Sequence, residues 1–176
     1  MEVAEKATKR TAIFDHKGIA KQRKLMLRSF LFRLGLIKML PLGFLAGLKI
    51  TRLDDEGCDV TVPYKFLNFN PFKTTYWAVL GMAAEMASGA ILLNYARNIK
   101  PSVATFVVGC DSKFVNRALT KVTFSCNDTD TIKQAVLQAA ETGEAVTFET
   151  STNGVDASGQ VVAEFTFSWS VKGRSK

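Results

Sequence analysis

Glu85 is the residue whose position in this sequence most directly suggests chemistry. It is the one charged residue between Lys73 and Arg97, in a run of small and apolar residues that predicts a helix. A carboxylate that loses hydration in such surroundings has a raised pKa, which suits a general base acting near neutral pH. The structural alternative is that Glu85 accepts a buried hydrogen bond from a backbone amide or from Asn68.

The rest of the sequence offers little for other kinds of catalysis. His16 is the only histidine and stands in a polar stretch, so neither a histidine-based triad nor a site with several histidine ligands is indicated. Cys58, Cys110 and Cys126 are widely spaced and form no C-x-x-C pair, which indicates neither zinc nor disulfides. We therefore expect no metal, no cofactor and a reducing, cytoplasmic location.

A sheet and a long helix must hold Glu85 in place. The composition, 47% hydrophobic and 22% charged, is typical of a globular chain, and the length suits a single core. After Pro41 the hydrophobic pattern alternates as in strands, with a hairpin turn at "DDEG" and a short helix over residues 129–141 that ends at Gly143. Strands are predicted over residues 45–53, 58–64, 103–110, 121–126, 145–152 and 161–171.

The resulting fold class is α+β, with an antiparallel sheet wrapped around one long central helix over residues 74–96. That helix is also long enough to span a membrane. However, an acid near its middle costs about 2.5 to 3.5 kcal/mol on insertion. Burial inside the sheet is therefore favoured, because small side chains let strands approach closely.

Residues 16–40 carry the excess positive charge. They contain seven Lys and Arg and no acid, which equals the net charge of +7, so the remainder is neutral and nucleic acid is not an expected partner. Apolar residues at helical spacing predict an added basic amphipathic helix over residues 17–40, after a frayed start at residues 1–16. This helix could contact an anionic membrane, cover an acyl-binding pocket or pack on the main domain. Its apolar face comprises Met26, Leu27, Phe30, Leu31, Leu34, Ile37 and Leu40.

The stretch "NPFKTTYWAVLGMAAEMASGA" resembles the acyl-CoA thioesterases of the hotdog fold. In their common motif, an asparagine is followed by glycine three residues on, by His-Gly-Gly from six residues on and by a helix acid fifteen residues on. Asn70 and Glu85 keep the first and last positions, and the likeness to a branch lacking the histidine extends over residues 41–172, the expected hotdog domain following an N-terminal segment of residues 1–40. The departures are Lys73 in place of glycine, and Tyr76, Trp77 and Ala78 in place of His-Gly-Gly.

The resemblance implies hydrolysis of an acyl thioester carried by CoA or by acyl carrier protein. Glu85 would be the general base or nucleophile, and Asn70 would orient the water or the carbonyl. The amides of Trp77 and Ala78 would hold the oxyanion, with the Tyr76 hydroxyl as a further donor. Sites of this family lie at a dimer interface, so a homodimer or a dimer of dimers is expected. The candidates for binding a CoA phosphate are Lys73, Lys113, Arg117 and Lys121.

Two other function classes stay open. The first is a hotdog lyase, which pairs an acid with a histidine; the lack of a histidine in residues 41–176 counts against it. A non-catalytic acyl-binding or membrane-associated module would depend on residues 17–40 more than on Glu85. Structural alternatives also exist for the site residues: Asn70 could cap a turn, the aromatic pair could belong to the core, and the basic residues could be solvated.

Overall fold

A six-stranded antiparallel sheet is the scaffold of the molecule, of which the computed structural model describes residues 10–174. The strands are β1 (Ile13–Phe14), β2 (Lys49–Leu53), β3 (Cys58–Val62), β4 (Ile99–Lys100), β5 (Val103–Phe114), β6 (Val122–Cys126), β7 (Ala145–Val155) and β8 (Val161–Gly173). The main sheet has the order β2-β3-β6-β7-β8-β5, and β1 pairs separately with β4. The hairpins predicted at "DDEG" and between the last two strands are both present.

Five helices accompany the sheet: α1 (His16–Leu27), α2 (Ser29–Met39), α3 (Pro41–Ala46), α4 (Trp77–Ala96) and α5 (Thr129–Thr142). Every strand of the main sheet contacts α4, which confirms the predicted sheet around one central helix. Small residues allow this close approach: a Cβ atom added at Gly81 would lie 3.5 Å from the ring of Phe165, and one at Gly89 equally close to Trp169. The helix α5 ends at Gly143, whose φ of 79° is the left-handed conformation that glycine adopts easily.

The helix α4 is the one helix of the described chain that is long and apolar enough to cross a membrane. Its side chains Ala83, Ala84 and Ala87 are fully buried in the core. Packing against the sheet therefore accounts for the apolar composition of α4.

The N-terminal region differs from the prediction. In place of one helix over residues 17–40 there are two, because the backbone of Arg28 is extended (φ −76°, ψ 93°) and separates α1 from α2. A third helix, α3, begins at Pro41 and ends at the left-handed Gly47, so the strand predicted from residue 45 begins only at Lys49. The predicted fraying is wrong for residues 10–16, where β1 pairs with β4, while residues 1–9 lie outside the described residues.

The helix predicted from residue 74 begins at Trp77. The preceding residues are held outside the helix by long-range hydrogen bonds: the amide of Thr75 donates to the carbonyl of Ala118 (2.9 Å), and the amide of Tyr76 donates to the carbonyl of Asn68 (2.7 Å). The first bond ties the start of α4 to the segment after β5 and the second ties it to the turn at Asn68, so the position of the first helical turn is fixed by the tertiary structure.

Candidate functional site

Glu85 lies in the third turn of α4, next to an apolar pocket. The pocket has a volume of about 450 Å³ and is enclosed by α4 on one side and by α1 and α2 on the other. Its walls include Phe32 and Leu36 from α2 and Met82 and Met86 from α4. Glu85 is the one acidic residue in this lining, and it is exposed to solvent, although its neighbour Ala84 is fully buried.

The Glu85 carboxylate has no hydrogen bond and no ion pair with the described residues. The suggested bond from Asn68 is wrong, because the Asn68 Nδ2 atom donates to the carbonyls of Ala46 (2.9 Å) and Pro63 (2.7 Å). With no donor to stabilise the charged form, partial burial raises the pKa of Glu85 above its ordinary value. The carboxylate is therefore available to a substrate or a water molecule.

Glu85 also faces the edge of the sheet. Burial raises the pKa of the Cys110 thiol, and the negative charges of Asp111 and Glu85 raise it further, which places Glu85 near β5. This strand is at the end of the sheet and exposes the large apolar side chains of Phe106 and Phe114. The candidate base thus lies within electrostatic range of the edge strand.

A second hollow, of about 440 Å³, lies at the start of α4. Asn70, Trp77 and Arg117 are among its lining residues. The first two amides of the helix, those of Trp77 and Ala78, have no acceptor among the described residues, and Tyr76 provides no side-chain cap. Free amides at a helix start, together with the helix dipole, favour negative charge at this place.

Asn70 organises the loop that precedes α4. Its Oδ1 atom accepts hydrogen bonds from the amides of Phe72 (3.0 Å) and Thr74 (3.3 Å) and from the Thr74 hydroxyl (3.3 Å), so the turn-capping role suggested by the sequence is present. Lys73 in the same turn has a φ of 55°. This left-handed conformation is the one that glycine adopts most easily, which explains why glycine would suit this position.

Tyr76 and Trp77 are surface residues, so the alternative that places them in the core is wrong. Their side chains are 44% and 56% exposed, and the two rings meet edge to face at 5.8 Å. Trp77 lines the hollow at the helix start, near its own backbone amide and that of Ala78. The indole therefore lies at the approach to these two amides.

The four basic candidates do not form one cluster around the pockets. Arg117 lines the hollow at the helix start and donates from Nη2 to the carbonyl of Phe72 (2.8 Å). Lys73 is exposed in the adjoining turn. Lys113 is paired across the sheet with Glu164, and both it and the exposed Lys121 lie outside the two pockets.

The pocket wall was predicted only in part: Met26, Leu31 and Leu40 of the predicted apolar face line the pocket, in line with the alternative that this segment covers a pocket. Phe30 of the same face is 74% exposed, and the inward-facing Phe32 and Leu36 were missed. The signal was present as apolar residues four positions apart, but α2 is apolar on nearly every side, so its pattern does not identify the inner face.

A polar network that anchors α1 was also missed. Arg23 donates to Asn94 Oδ1 and to the Tyr95 hydroxyl, both at 3.0 Å, and pairs with Asp55 at 2.9 Å. The Asn94 Nδ2 atom in turn donates to the carbonyl of Ile19. Because Asn94 and Tyr95 belong to the end of α4, these bonds fix α1 beside the far end of the pocket.

An antiparallel sheet around a central helix, with an acid on the helix and an open edge strand, defines a protein of the hotdog fold. Solved structures agree. A Pseudomonas aeruginosa protein of unknown function, described as a probable thioesterase, is 19% identical with a TM-score of 0.68 over 88% of this chain and 95% of its own. A thioesterase from Haemophilus influenzae is 12% identical with a TM-score of 0.59, over 80% and 88% of the two chains.

A mutant thioesterase from Pseudomonas aeruginosa is similar as well, with 13% identity and a TM-score of 0.60 over 81% of this chain and 94% of its own. The chain belongs to the family described as a domain of unknown function, DUF4442, whose model matches residues 29–171. No curated protein matches the chain in sequence.

Proposed function

We propose that this protein hydrolyses acyl thioesters with Glu85 as general base. The observation that carries the proposal is the Glu85 carboxylate itself, which has a raised pKa, no partner among the described residues and a place beside an apolar pocket. A buried structural role would leave the carboxylate paired, and the raised pKa and the place beside an apolar pocket distinguish Glu85 from an ordinary solvated carboxylate. The likeness to structures described as thioesterases supports the same chemistry.

In the proposed reaction, Glu85 takes a proton from water while the water oxygen attacks the thioester carbonyl carbon. The carbon–sulfur bond then breaks, and the proton passes from Glu85 to the leaving thiolate. The alternative is direct attack by the carboxylate, with the resulting anhydride hydrolysed by water. Asn70 uses its Oδ1 atom in the turn, so its Nδ2 atom is the part left to orient the carbonyl or the water.

The oxyanion would be held by the amides of Trp77 and Ala78, with the Tyr76 hydroxyl as an additional donor. Within one chain these amides are too far from Glu85, because the eight residues from Trp77 to Glu85 span about 12 Å of helix. A carbonyl group needs both within hydrogen-bond reach, at about 3 Å. The site therefore needs the helix start of a second copy.

The edge strand β5 gives a physical reason for that second copy. Its outer side presents unpaired backbone groups and exposes Phe106, Val108 and Phe114, a combination that favours pairing with another strand. Antiparallel pairing of two β5 strands about a twofold axis makes a homodimer, and a dimer of dimers adds a further interface. Such pairing brings the helix start of one copy toward Glu85 of the other.

The thioester carrier is CoA or acyl carrier protein, both of which present a phosphate near the thiol arm. Arg117 and Lys73 are the better-placed cations, because both belong to the surroundings of the helix start. Lys113 and Lys121 remain candidates for the more distant phosphates of CoA. A cytoplasmic location agrees with these carriers and with the free cysteines.

Thiol release from a series of acyl-CoA thioesters of increasing chain length tests the proposal. The Glu85→Gln variant is expected to lose activity by about 10²–10⁴-fold, the usual contribution of a general base. Glu144→Gln, in the exposed turn after α5, is the matched control and is expected to keep wild-type activity. Wild-type activity in a folded Glu85→Gln variant would contradict the role of Glu85 as base.

A second candidate function is that of a membrane-associated module. It is favoured by the outer face of α2, where Phe30, Leu34 and Ile37 are exposed at helical spacing beside Arg28 and Arg33. Exposed apolar residues with flanking cations are typical of helices that bind anionic lipid surfaces.

Cosedimentation with phosphatidylserine vesicles tests this candidate, with phosphatidylcholine vesicles as the comparison. The triple variant Phe30→Ser, Leu34→Ser, Ile37→Ser is expected to lose most of the binding, because it removes the exposed apolar residues. It should still fold, because the inward residues of α2 are unchanged. Equal sedimentation of the triple variant and the wild type would exclude this face as the membrane contact.

A further inference from the structure

Gly35 occupies an unusual place in the wall of the Glu85 pocket. It lies inside α2, where glycine is less favourable than alanine by about 0.5–1 kcal/mol. Its φ is not positive, and a Cβ atom added to it would meet no described atom within 4 Å. Neither backbone conformation nor close packing therefore explains the glycine. Because Gly35 is one of the lining residues, a side chain at this position would take up space in the pocket, and glycine leaves that space open.

The pocket is elongated along α4. Its lining on this helix extends beyond Glu85 to Arg97, twelve residues further on, which corresponds to about 18 Å of helix. Between these two charged residues, the pocket-lining side chains of α4 are apolar or small, including Met86 and Leu93. An extended chain of carbon–carbon bonds of about 1.5 Å advances roughly 1.3 Å per bond, so about a dozen carbons fit this length.

The opposite wall is a built part of the fold. Arg23 and Asn94 fix α1 against the end of α4, and α2 follows after the short break at Arg28. Leu36 is almost fully buried and holds α2 to the core one position after Gly35. The open space beside Gly35 is thus bounded by residues with defined positions.

We propose that this pocket binds a linear, saturated acyl chain of medium to long length, and that the absence of a side chain at Gly35 keeps open the space that the chain occupies. The inference rests on the proposed function for the position of the thioester carbonyl, which lies at the Glu85 end with the chain directed along α4. Between Glu85 and Arg97 the walls are mainly apolar, so polar or charged groups along the chain would lose hydration without gaining partners. The flexible, unbranched side chains of Met82, Met86 and Met39 can adapt to a linear acyl chain, whereas they offer no fixed surface on which an aromatic acyl group would stack.

The test measures binding of octanoate, dodecanoate and hexadecanoate by calorimetry, together with hydrolysis of the corresponding CoA thioesters. The wild type is expected to bind dodecanoate more tightly than octanoate. Gly35→Phe places a ring in the pocket, and each methylene it excludes costs roughly fourfold in affinity. Dodecanoate and hexadecanoate should therefore bind at least about tenfold more weakly to the variant.

Two further variants keep the result interpretable. Gly35→Leu adds a smaller group and should give an intermediate loss, which also covers the case in which Gly35→Phe does not fold. Lys38→Phe places the same ring on α2 outside the pocket lining, and it should leave fatty-acid binding unchanged.

The outcomes separate this inference from the proposed function. Weaker fatty-acid binding by the Gly35 variants, without hydrolysis of any thioester by the wild type, would keep the acyl pocket and overturn the hydrolase. Hydrolysis that depends on Glu85, with the same chain-length profile in wild type and both Gly35 variants, would overturn the role of Gly35. Failure of the wild type to bind any of the three fatty acids would overturn the acyl pocket.

Discussion

The pocket beside Glu85 and the hollow at the start of α4 belong to one helix, but they are suited to different parts of a substrate. The pocket is enclosed mainly by Leu, Met and Phe side chains and contains one carboxylate. The hollow contains the polar side chains of Asn70 and Arg117 and the two free amides of the helix start. An uncharged chain suits the first site, and developing negative charge suits the second.

The difference between the two sites argues for a shared active centre. An acyl thioester has an apolar chain, a reacting carbonyl and a charged carrier, so it needs the properties of both. One chain presents them about 12 Å apart along α4. A twofold axis at β5 offers a simple arrangement that joins the pocket of one copy to the helix start of the other.

Complementation between two inactive variants is the strongest test of whether the pocket of one copy and the helix start of another form one site. Glu85→Gln removes the base, and Trp77→Pro removes the amide of residue 77. Proline suits this position, because Trp77 is the first residue of α4 and the preceding Tyr76 is extended (ψ 135°). If the site is shared, mixed dimers contain one intact site, so an equal mixture should recover about one quarter of wild-type activity.

The matched control for the proline variant is Trp77→Ala, which also removes the indole but keeps the amide. We expect Trp77→Pro to lose about 10²–10³-fold in kcat, as when one oxyanion donor is removed, and Trp77→Ala to lose much less. Subunits must exchange in the mixture, which mixed denaturation and refolding achieves. An equal mixture that stays inactive after demonstrated exchange would place the whole site within one chain.

The two sites also differ in how far the sequence predicted them. The helix acid was singled out by its isolation among apolar residues, and the asparagine fifteen residues before it by the resemblance to hotdog thioesterases; their catalytic roles stay predictions. The sheet and α4 followed from local patterns, because strand alternation and small helix residues describe local geometry. The hairpin between β7 and β8 is an example, since its alternating residues and turn are contiguous in sequence.

Positions fixed by distant contacts were not predictable in the same way. The start of α4 at Trp77 depends on a hydrogen bond from Thr75 to Ala118, which is 43 residues away. The inward face of α2 was predicted only in part, because a helix that is apolar on nearly all sides can pack with any of them. The pocket forms only when α2 packs on the core with this face, so the sequence around Gly35 does not show that it lines a pocket.

The smallest expected effect concerns the stability cost of keeping Glu85 free. Burial raises the pKa of Glu85 in the folded protein, so between the ordinary value and the raised value the folded state binds more protons than the unfolded state. The free energy of unfolding therefore falls as pH rises through this window. Gln at residue 85 stays neutral, so Glu85→Gln should match the wild type below the window and exceed it above.

Urea unfolding of both proteins across this pH range measures the difference. We expect well under about 1 kcal/mol, because the carboxylate keeps contact with solvent and its charge is partly screened. The sign is the informative part of the result. A wild type that gains stability over the variant as pH rises would reveal a cation paired with Glu85, and the pocket would then hold a structural ion pair in place of a free base.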